Sequence, residues 1–293
     1  MQLDWQDLID HTLRNEPLRK AYVWAPFAGG SSNSIFLGQL KQHQDPDSLS
    51  SLHAYSPNGT HTNVILRINA PANDTPGVCR AREAAILDKI SPYAWAPQII
   101  VNEPEQGWCL MRYYNSTIKP QSTLSKGLAT CYHKQMIDAL NELHAIEINI
   151  NRATDLTINY QTLLNETYRP IATAKNDAQA LSWIQSIKED LNALPILPKR
   201  LVHHDLHLGN LILSKRTAGD DTAVLTILDW EYAAIGNPWF DASCLSRYLS
   251  LPAHTIFKLN LFSSLDQSTF TLALEQANNM TKDLEQLWYK TRE

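Results

Sequence analysis

Between Leu201 and Glu231 the chain sets out a polar loop, two short apolar runs and a second acidic loop, an order that few folds accommodate. The first stretch reads Leu201-Val202-His203-His204-Asp205-Leu206-His207-Leu208-Gly209-Asn210-Leu211, and the last reads Leu225-Thr226-Ile227-Leu228-Asp229-Trp230-Glu231. Leu211-Ile212-Leu213 and Val224 to Leu228 have strand length and flank the turn former Ala218-Gly219-Asp220-Asp221, so they predict a hairpin. Asp205 and Asn210 then fall on the loop entering the hairpin, and Asp229 falls at its far end.

Oxygen-bearing side chains so spaced suit phosphoryl transfer to a hydroxyl, which asks for a proton acceptor and for oxygens that hold magnesium against a triphosphate. In the pattern His-x-Asp-x4-Asn, Asp205 is the candidate proton acceptor and Asn210 a metal ligand, with Asp229 as the second ligand. His203 is placed to orient the loop by hydrogen bonding rather than to react. Glu231 either supports the metal site or is a solvated carboxylate. A lone loop Asp is ordinarily a turn or cap residue, but the three groups in this order form a compound signal. His203 and His207 share an i, i+4 spacing, which gathers zinc ligands only on a helix, and Gly209 with the strand after it predicts a loop.

The remainder of the chain bounds the setting. Lys and Arg number 25 against 30 Asp and Glu, for a net charge of -5 and no basic run, which argues against nucleic acid as a partner. Cys79, Cys109, Cys131 and Cys244 lie far apart without metal-type pairing, and the first residues do not resemble a signal peptide, so a reducing, cytoplasmic setting is expected. No apolar run approaches the roughly 18 residues of a membrane helix, so no membrane partner is expected. A length of 293 residues allows two lobes.

Residues 3–19 predict one short amphipathic helix, and Ala21 to Trp24 with Ser34 to Leu40 predict a hairpin around Ala28-Gly29-Gly30-Ser31-Ser32-Asn33. Residues 41–61 are rich in turn formers and predict a loop before the strand Asn63-Val64-Ile65-Leu66-Arg67-Ile68. A helix at Val78 to Ile90 and strands at Gln98 to Val101 and Trp108 to Tyr113 follow. Leu128, Tyr132, Met136, Ala139, Leu140 and Leu143 give a helical period within Ser122 to Ile146, Ala178 to Leu194 predicts another helix, and Phe270 to Trp288 a long final one. The fold class expected is α+β: an antiparallel sheet lobe with one helix, residues 1–115, and a larger, mainly helical lobe, residues 116–293. Gly29, Gly30, Ser31, Ser32 and Asn33 could offer backbone N–H groups to phosphate. Arg67, a charge in the middle of an apolar strand, needs an anion, either ATP phosphates or Glu83 on the next helix.

With these residues in view, the chain resembles the aminoglycoside phosphotransferase and choline kinase superfamily, whose fold is like that of protein kinases, from about Phe27 to Leu245. Leu201 to Leu211 is similar to its catalytic loop, Ile227-Leu228-Asp229-Trp230-Glu231-Tyr232-Ala233 to its metal-binding segment, and Leu143-His144 to the end of the helix before the loop. Ala28 to Phe36 and Val64 to Ile68 look like choline and ethanolamine kinases, which use Arg where many relatives use Lys; Asp229 to Ala233 also looks like bacterial thiamine kinases. The resemblance implies ATP and magnesium as cofactors, Arg67 on the phosphates paired with Glu83, Asp205 as base, and Asn210 and Asp229 on the metal. It implies that adenine lies along Met111-Arg112-Tyr113-Tyr114, where Met111 and Tyr113 could equally be core, and that Asp241 supports the catalytic loop.

Two departures stand out: His204 occupies a position often filled by Gly or Asn, and only about fifty residues follow Asp241. The acceptor expected is a small cationic alcohol, choline or ethanolamine first and thiamine next. Trp230, Trp239, Trp288, Tyr248 and Tyr289 are candidate aromatic faces for its ammonium group, although aromatics are more often core. An aminoglycoside acceptor instead predicts an acidic pocket, which Asp266, Glu275, Asp283 and Glu285 do not visibly form. A non-catalytic nucleotide-binding protein would have no need of Asp205.

Overall fold

The structure, a computed structural model, describes residues 4–14, 17–27, 33–42, 62–71, 75–115, 126–147, 156–215 and 223–292. These form two compact units, the first from residues 1–75 and 97–115, the second from 76–96 and 116–293. No helix among the described residues is long and apolar enough to cross a membrane.

The first unit is built on an antiparallel sheet of β1 (Tyr22–Pro26), β2 (Ser34–Leu40), β3 (Asn63–Ile68), β4 (Ile99–Glu103) and β5 (Trp108–Arg112), in the spatial order β1-β2-β3-β5-β4. Alternation sets its register: Phe36 faces Leu66 and Leu66 faces Leu110, all three buried. Two short helices, α1 (Trp5–Thr12) and α2 (Pro17–Ala21), add Ile9, Leu13 and Leu18 to that core. The single helix expected over residues 3–19 is thus two. Pro17 opens the second, since a proline lacks the N–H that a helix interior needs but fits a first turn.

The second unit carries α3 (Arg80–Ile90), α4 (Lys126–Ala145), α5 (Tyr160–Thr162), α6 (Arg169–Ala174), α7 (Ala178–Ala193), α8 (Trp239–Arg247), α9 (Ala253–Ile256) and α10 (Gln267–Arg292). A wide-turned π stretch, Leu163–Tyr168, joins α5 to α6. On α4 the expected stripe of Tyr132, Met136, Ala139, Leu140 and Leu143 is buried, while the side chain of Leu128 falls outside the described residues. The α10 stripe of Phe270, Ala273, Leu274, Ala277, Met280 and Leu287 packs on α7 and α8. Residues 76–96 belong here through specific contacts: the Trp95 indole N–H donates to Glu142 at 2.7 Å, Ile227 N–H donates to the Trp95 carbonyl at 2.8 Å, and the Trp95 ring stacks on Trp230.

Two small ladders shape the candidate site. β7 (Leu211–Lys215) pairs with β8 (Ala223–Ile227) as the expected hairpin, Leu211 opposite Ile227. β6 (Arg200–Val202) pairs with β9 (Ala234–Gly236), which fixes the start of the His203–Asn210 loop against the chain leaving the hairpin. The turn at residues 218–221, the insert at 43–61 and the joining segment at 116–121 lie outside the described residues.

Candidate active site

The loop after β6 is held from beneath by Asp241, on the first turn of α8 and wholly buried. Its Oδ2 accepts the His203 backbone N–H at 3.1 Å and its Oδ1 the His204 N–H at 2.9 Å. Burial alone would raise the Asp241 pKa, but His144, 3.7 Å away, holds it below the usual carboxylate range.

His203 is equally enclosed, and both ring nitrogens are used by backbone. Nδ1 accepts the Asp205 N–H at 3.2 Å, so Nε2 carries the proton and donates to the Leu228 carbonyl at 2.9 Å. Burial pushes its pKa down. His203 therefore ties the backbone of Asp205 to the residue before Asp229, and neither nitrogen is left for proton transfer.

Asp205 and Asn210 meet directly. The Asn210 amide donates to the Asp205 carbonyl at 2.9 Å and to Asp205 Oδ2 at 3.1 Å, so both its protons are used and its remaining polar atom is the amide oxygen. The Asn210 carbonyl accepts the Leu228 N–H at 2.7 Å, extending the hairpin ladder by one pair and bringing Asp229 alongside. Asp229 itself takes φ +60, a left-handed turn that Asp tolerates better than most residues. One oxygen from Asn210 and two from Asp229 are hard donors of the kind magnesium prefers. Among the described residues, no three side chains of His, Cys, Asp and Glu converge as a metal site.

His207, weighed in the sequence only as a zinc ligand, stands beside Asp205, with Nε2 3.6 Å from Oδ2. Its Nδ1 accepts the Gly209 N–H at 3.0 Å, which leaves the Nε2 proton aimed at the carboxylate. Burial alone would raise the Asp205 pKa, but the neighbouring His207 imidazole and the Asn210 amide bring it below normal. The facing Asp205 carboxylate raises the His207 pKa in turn.

Glu231 is buried and paired with Arg80 at 2.8 Å; the same Arg80 nitrogen reaches buried Glu83 at 3.2 Å. The solvated alternative for Glu231 is thereby removed, and Arg80, not singled out from the sequence, joins two of the expected residues. The aromatic candidates divide. Trp239 has no exposed surface: its ring packs on Phe262 and Phe270 and its indole N–H donates to the Pro195 carbonyl. Trp230 is also buried, edge-on to His203, with its N–H on the Ile227 carbonyl. Neither has a face to offer an acceptor, so both are core here. Trp288 is half-buried, and its N–H donates to the Tyr232 hydroxyl at 3.1 Å. Tyr248 lies edge-on to His207, but the Arg247 guanidinium already covers one of its faces at 4.9 Å.

The other expected residues lie in the first unit. Arg67 is buried in the middle of β3, opposite Ile35 and Cys109. Met111 is half-buried on β5, opposite Ile65 and Ile99. Tyr113 donates its N–H to the Asn63 carbonyl at 3.3 Å and sets its ring edge-on to Phe27. Asn33 accepts the Ala70 N–H at 3.0 Å, closing the β2–β3 end of the sheet, while Gly29, Gly30, Ser31 and Ser32 lie outside the described residues.

Comparison with known proteins agrees with this fold. Similar solved structures include an ADP-bound aminoglycoside phosphotransferase, at 15% identity and a TM-score of 0.63, over 98% of this chain and 91% of that one. A choline/ethanolamine kinase family protein from Mesorhizobium loti is 18% identical with a TM-score of 0.59, over 96% and 84%. A choline kinase from Cryptosporidium parvum is 15% identical with a TM-score of 0.62, over 98% and 89%. At such identities the likeness is one of fold, and none of the curated proteins matches in sequence. The sequence model of the phosphotransferase enzyme family, however, matches residues 24–267, the hairpin site included, and the chain belongs to that family.

Proposed function

We propose that this phosphotransferase moves the γ-phosphate of ATP to the hydroxyl of a small cationic alcohol, choline or ethanolamine before thiamine. Asp205 orients that hydroxyl and takes its proton. Residues 1–115 hold the nucleotide and 116–293 the catalytic groups and the acceptor. The observation that carries this reading is the hairpin-end cluster: Asp205 held by the Asn210 amide at both its main-chain carbonyl and its carboxylate, with the chain at Asp229 tied alongside through the Leu228 N–H on the Asn210 carbonyl. A depressed Asp205 pKa keeps the carboxylate ionised at neutral pH, which suits a base that takes its proton late in transfer.

The Asn210 amide oxygen and the Asp229 carboxylate would hold magnesium, which when bound neutralises charge on the phosphate oxygens. His203 keeps the two loops in register, and Glu231, fixed by Arg80, supports Asp229. In this reading Arg67 and the Gly29, Gly30, Ser31, Ser32 and Asn33 turn are assigned to the ATP phosphates, and Met111 and Tyr113 to the adenine. A fixed guanidinium fork suits phosphate oxygens as well as a lysine would.

The cationic acceptor rests on Trp288 and Tyr232, an aromatic pair on the second unit. An aminoglycoside is less favoured because two of the carboxylates it would need are spent: Asp266 caps α10 through Thr269 and Ser268, and Glu285 is ion-paired with Arg247. An ATP-consumption screen over choline, ethanolamine, thiamine, sugars and aminoglycosides tests the proposal. Turnover with a small cationic alcohol supports it, turnover with aminoglycosides alone refutes the acceptor class, and ATP left intact with every acceptor supports a non-catalytic nucleotide-binding protein.

A further inference from the structure

The residue before Asp205 adopts a conformation that its side chain does not favour. His204 has φ +70, in the left-handed region where Gly pays no steric penalty and Asn a small one. That turn places the consecutive N–H groups of His203 and His204 on the two oxygens of Asp241 and sets the direction in which Asp205 leaves the loop. Something else must hold His204 in it.

Tyr160, 44 residues earlier in the chain, supplies that hold. Its hydroxyl lies 2.7 Å from His204 Nε2, and the same oxygen accepts the Asn237 N–H at 2.8 Å. Burial pushes the His204 pKa down to about 4, so the ring is neutral, and the bond is read as the phenol donating to an unprotonated Nε2. The Phe240 ring stacks on Tyr160 at 4.6 Å and tilts against His204 at 5.2 Å, closing the pair from one side. Gly236 closes it from the other, where a Cβ would collide with the Tyr160 hydroxyl and meet His204 Nε2 at 3.0 Å. Tyr160 is itself anchored, since Thr157 bridges to Ile235 and the Ile158 N–H donates to the Ile235 carbonyl at 3.1 Å.

We propose that Tyr160 is a positioning residue for Asp205, its hydroxyl clamping His204 in the left-handed turn that aims the carboxylate. The proposal rests on the reading of Asp205 as the base. The clamp substitutes for the conformational freedom that glycine would bring to this position.

Tyr160→Phe, made in the wild type and in His204→Gly and His204→Asn backgrounds, tests it. In the wild type kcat should fall roughly tenfold, the net worth of one buried hydrogen bond, with KM for ATP little changed. In both His204 backgrounds the turn needs no clamp, and the same substitution should leave kcat within about twofold of its parent. Thermal stability should fall in all three, because the Asn237 N–H loses its acceptor in each, so kcat and stability separate. An equal fall in kcat in every background, or none in the wild type, would overturn the clamp. Two inactive His204 variants would also overturn it, by giving the imidazole itself a chemical role. Independently of any variant, nitrogen chemical shifts of the wild-type imidazole should show an unprotonated Nε2 and no titration near pH 6.5, about the value for free histidine; titration there would refute the assignment. Activity surviving in Asp205→Ala would instead fault the underlying reading of the base.

Discussion

Replacing Asp241 by Asn removes one acceptor from beneath the loop that presents Asp205. The native carboxylate accepts consecutive N–H groups, at 3.1 Å from His203 and 2.9 Å from His204, one on each oxygen. An amide has one oxygen, so one of the two N–H groups must face an NH2. A bond to a charged acceptor contributes about 1.5–3 kcal/mol and a stranded buried donor costs about 1–3 kcal/mol, so the unfolding free energy should fall by about 3–5 kcal/mol. Urea unfolding followed by tryptophan fluorescence suits the measurement, because Trp230 sits edge-on to His203 and Trp239 lies two residues from the mutated position. The pH dependence carries a second signature. The folded pKa of Asp241 is depressed, so its contribution is present above the ordinary carboxylate pKa and is lost as pH falls through the folded value; the variant should lose less stability on acidification. In the native-like fraction kcat should drop while KM for ATP holds. A loss under about 1 kcal/mol with kcat intact would refute the view that Asp241 supports this loop.

Other expectations follow from the same geometry. His207→Asn removes the imidazole that helps depress the Asp205 pKa, so the acid limb of kcat/KM should move to higher pH; an unmoved limb would uncouple the two groups. Trp239→Ala should cost about 3–5 kcal/mol with acceptor KM unaltered. Trp288→Ala should raise acceptor KM about three- to thirtyfold with little loss of stability. Reversal of those two results would return Trp239 to the acceptor site.

What the sequence discloses is mostly local. The β7–β8 hairpin could be read from two apolar runs and the turn formers between them, and the stripes of α4 and α10 from their period, because each signal lies within one element. The flanks carrying Asn210 and Asp229 are tied together, the Leu228 N–H on the Asn210 carbonyl, because they enter and leave that hairpin, so their nearness in the fold was legible too. The left-handed turn at His204 could not be read in this way. Composition hints at such a turn when Gly or Asn occupies the position, and here the cue is replaced by a tyrosine far away in the chain. Arg80 gave no signal, since an Arg in the first turn of a helix is ordinarily solvated, and its role depends on Glu231 arriving from the far end of the hairpin. Trp230 and Trp239 show the opposite error. An aromatic residue beside a motif invites a binding role, and only tertiary packing reveals that both rings are enclosed. The β6–β9 ladder joins two three-residue strands, too short for an alternating pattern to register.

The most direct test of the central claim compares wild type with Asp205→Ala by following transfer of the γ-phosphate to the best acceptor from the screen, with ATP affinity measured separately. Loss of a general base should lower kcat by about a hundredfold or more while ATP binding stays nearly unchanged. Turnover within about tenfold of wild type, less than removing a general base ordinarily costs, would contradict the assignment of Asp205 as the base.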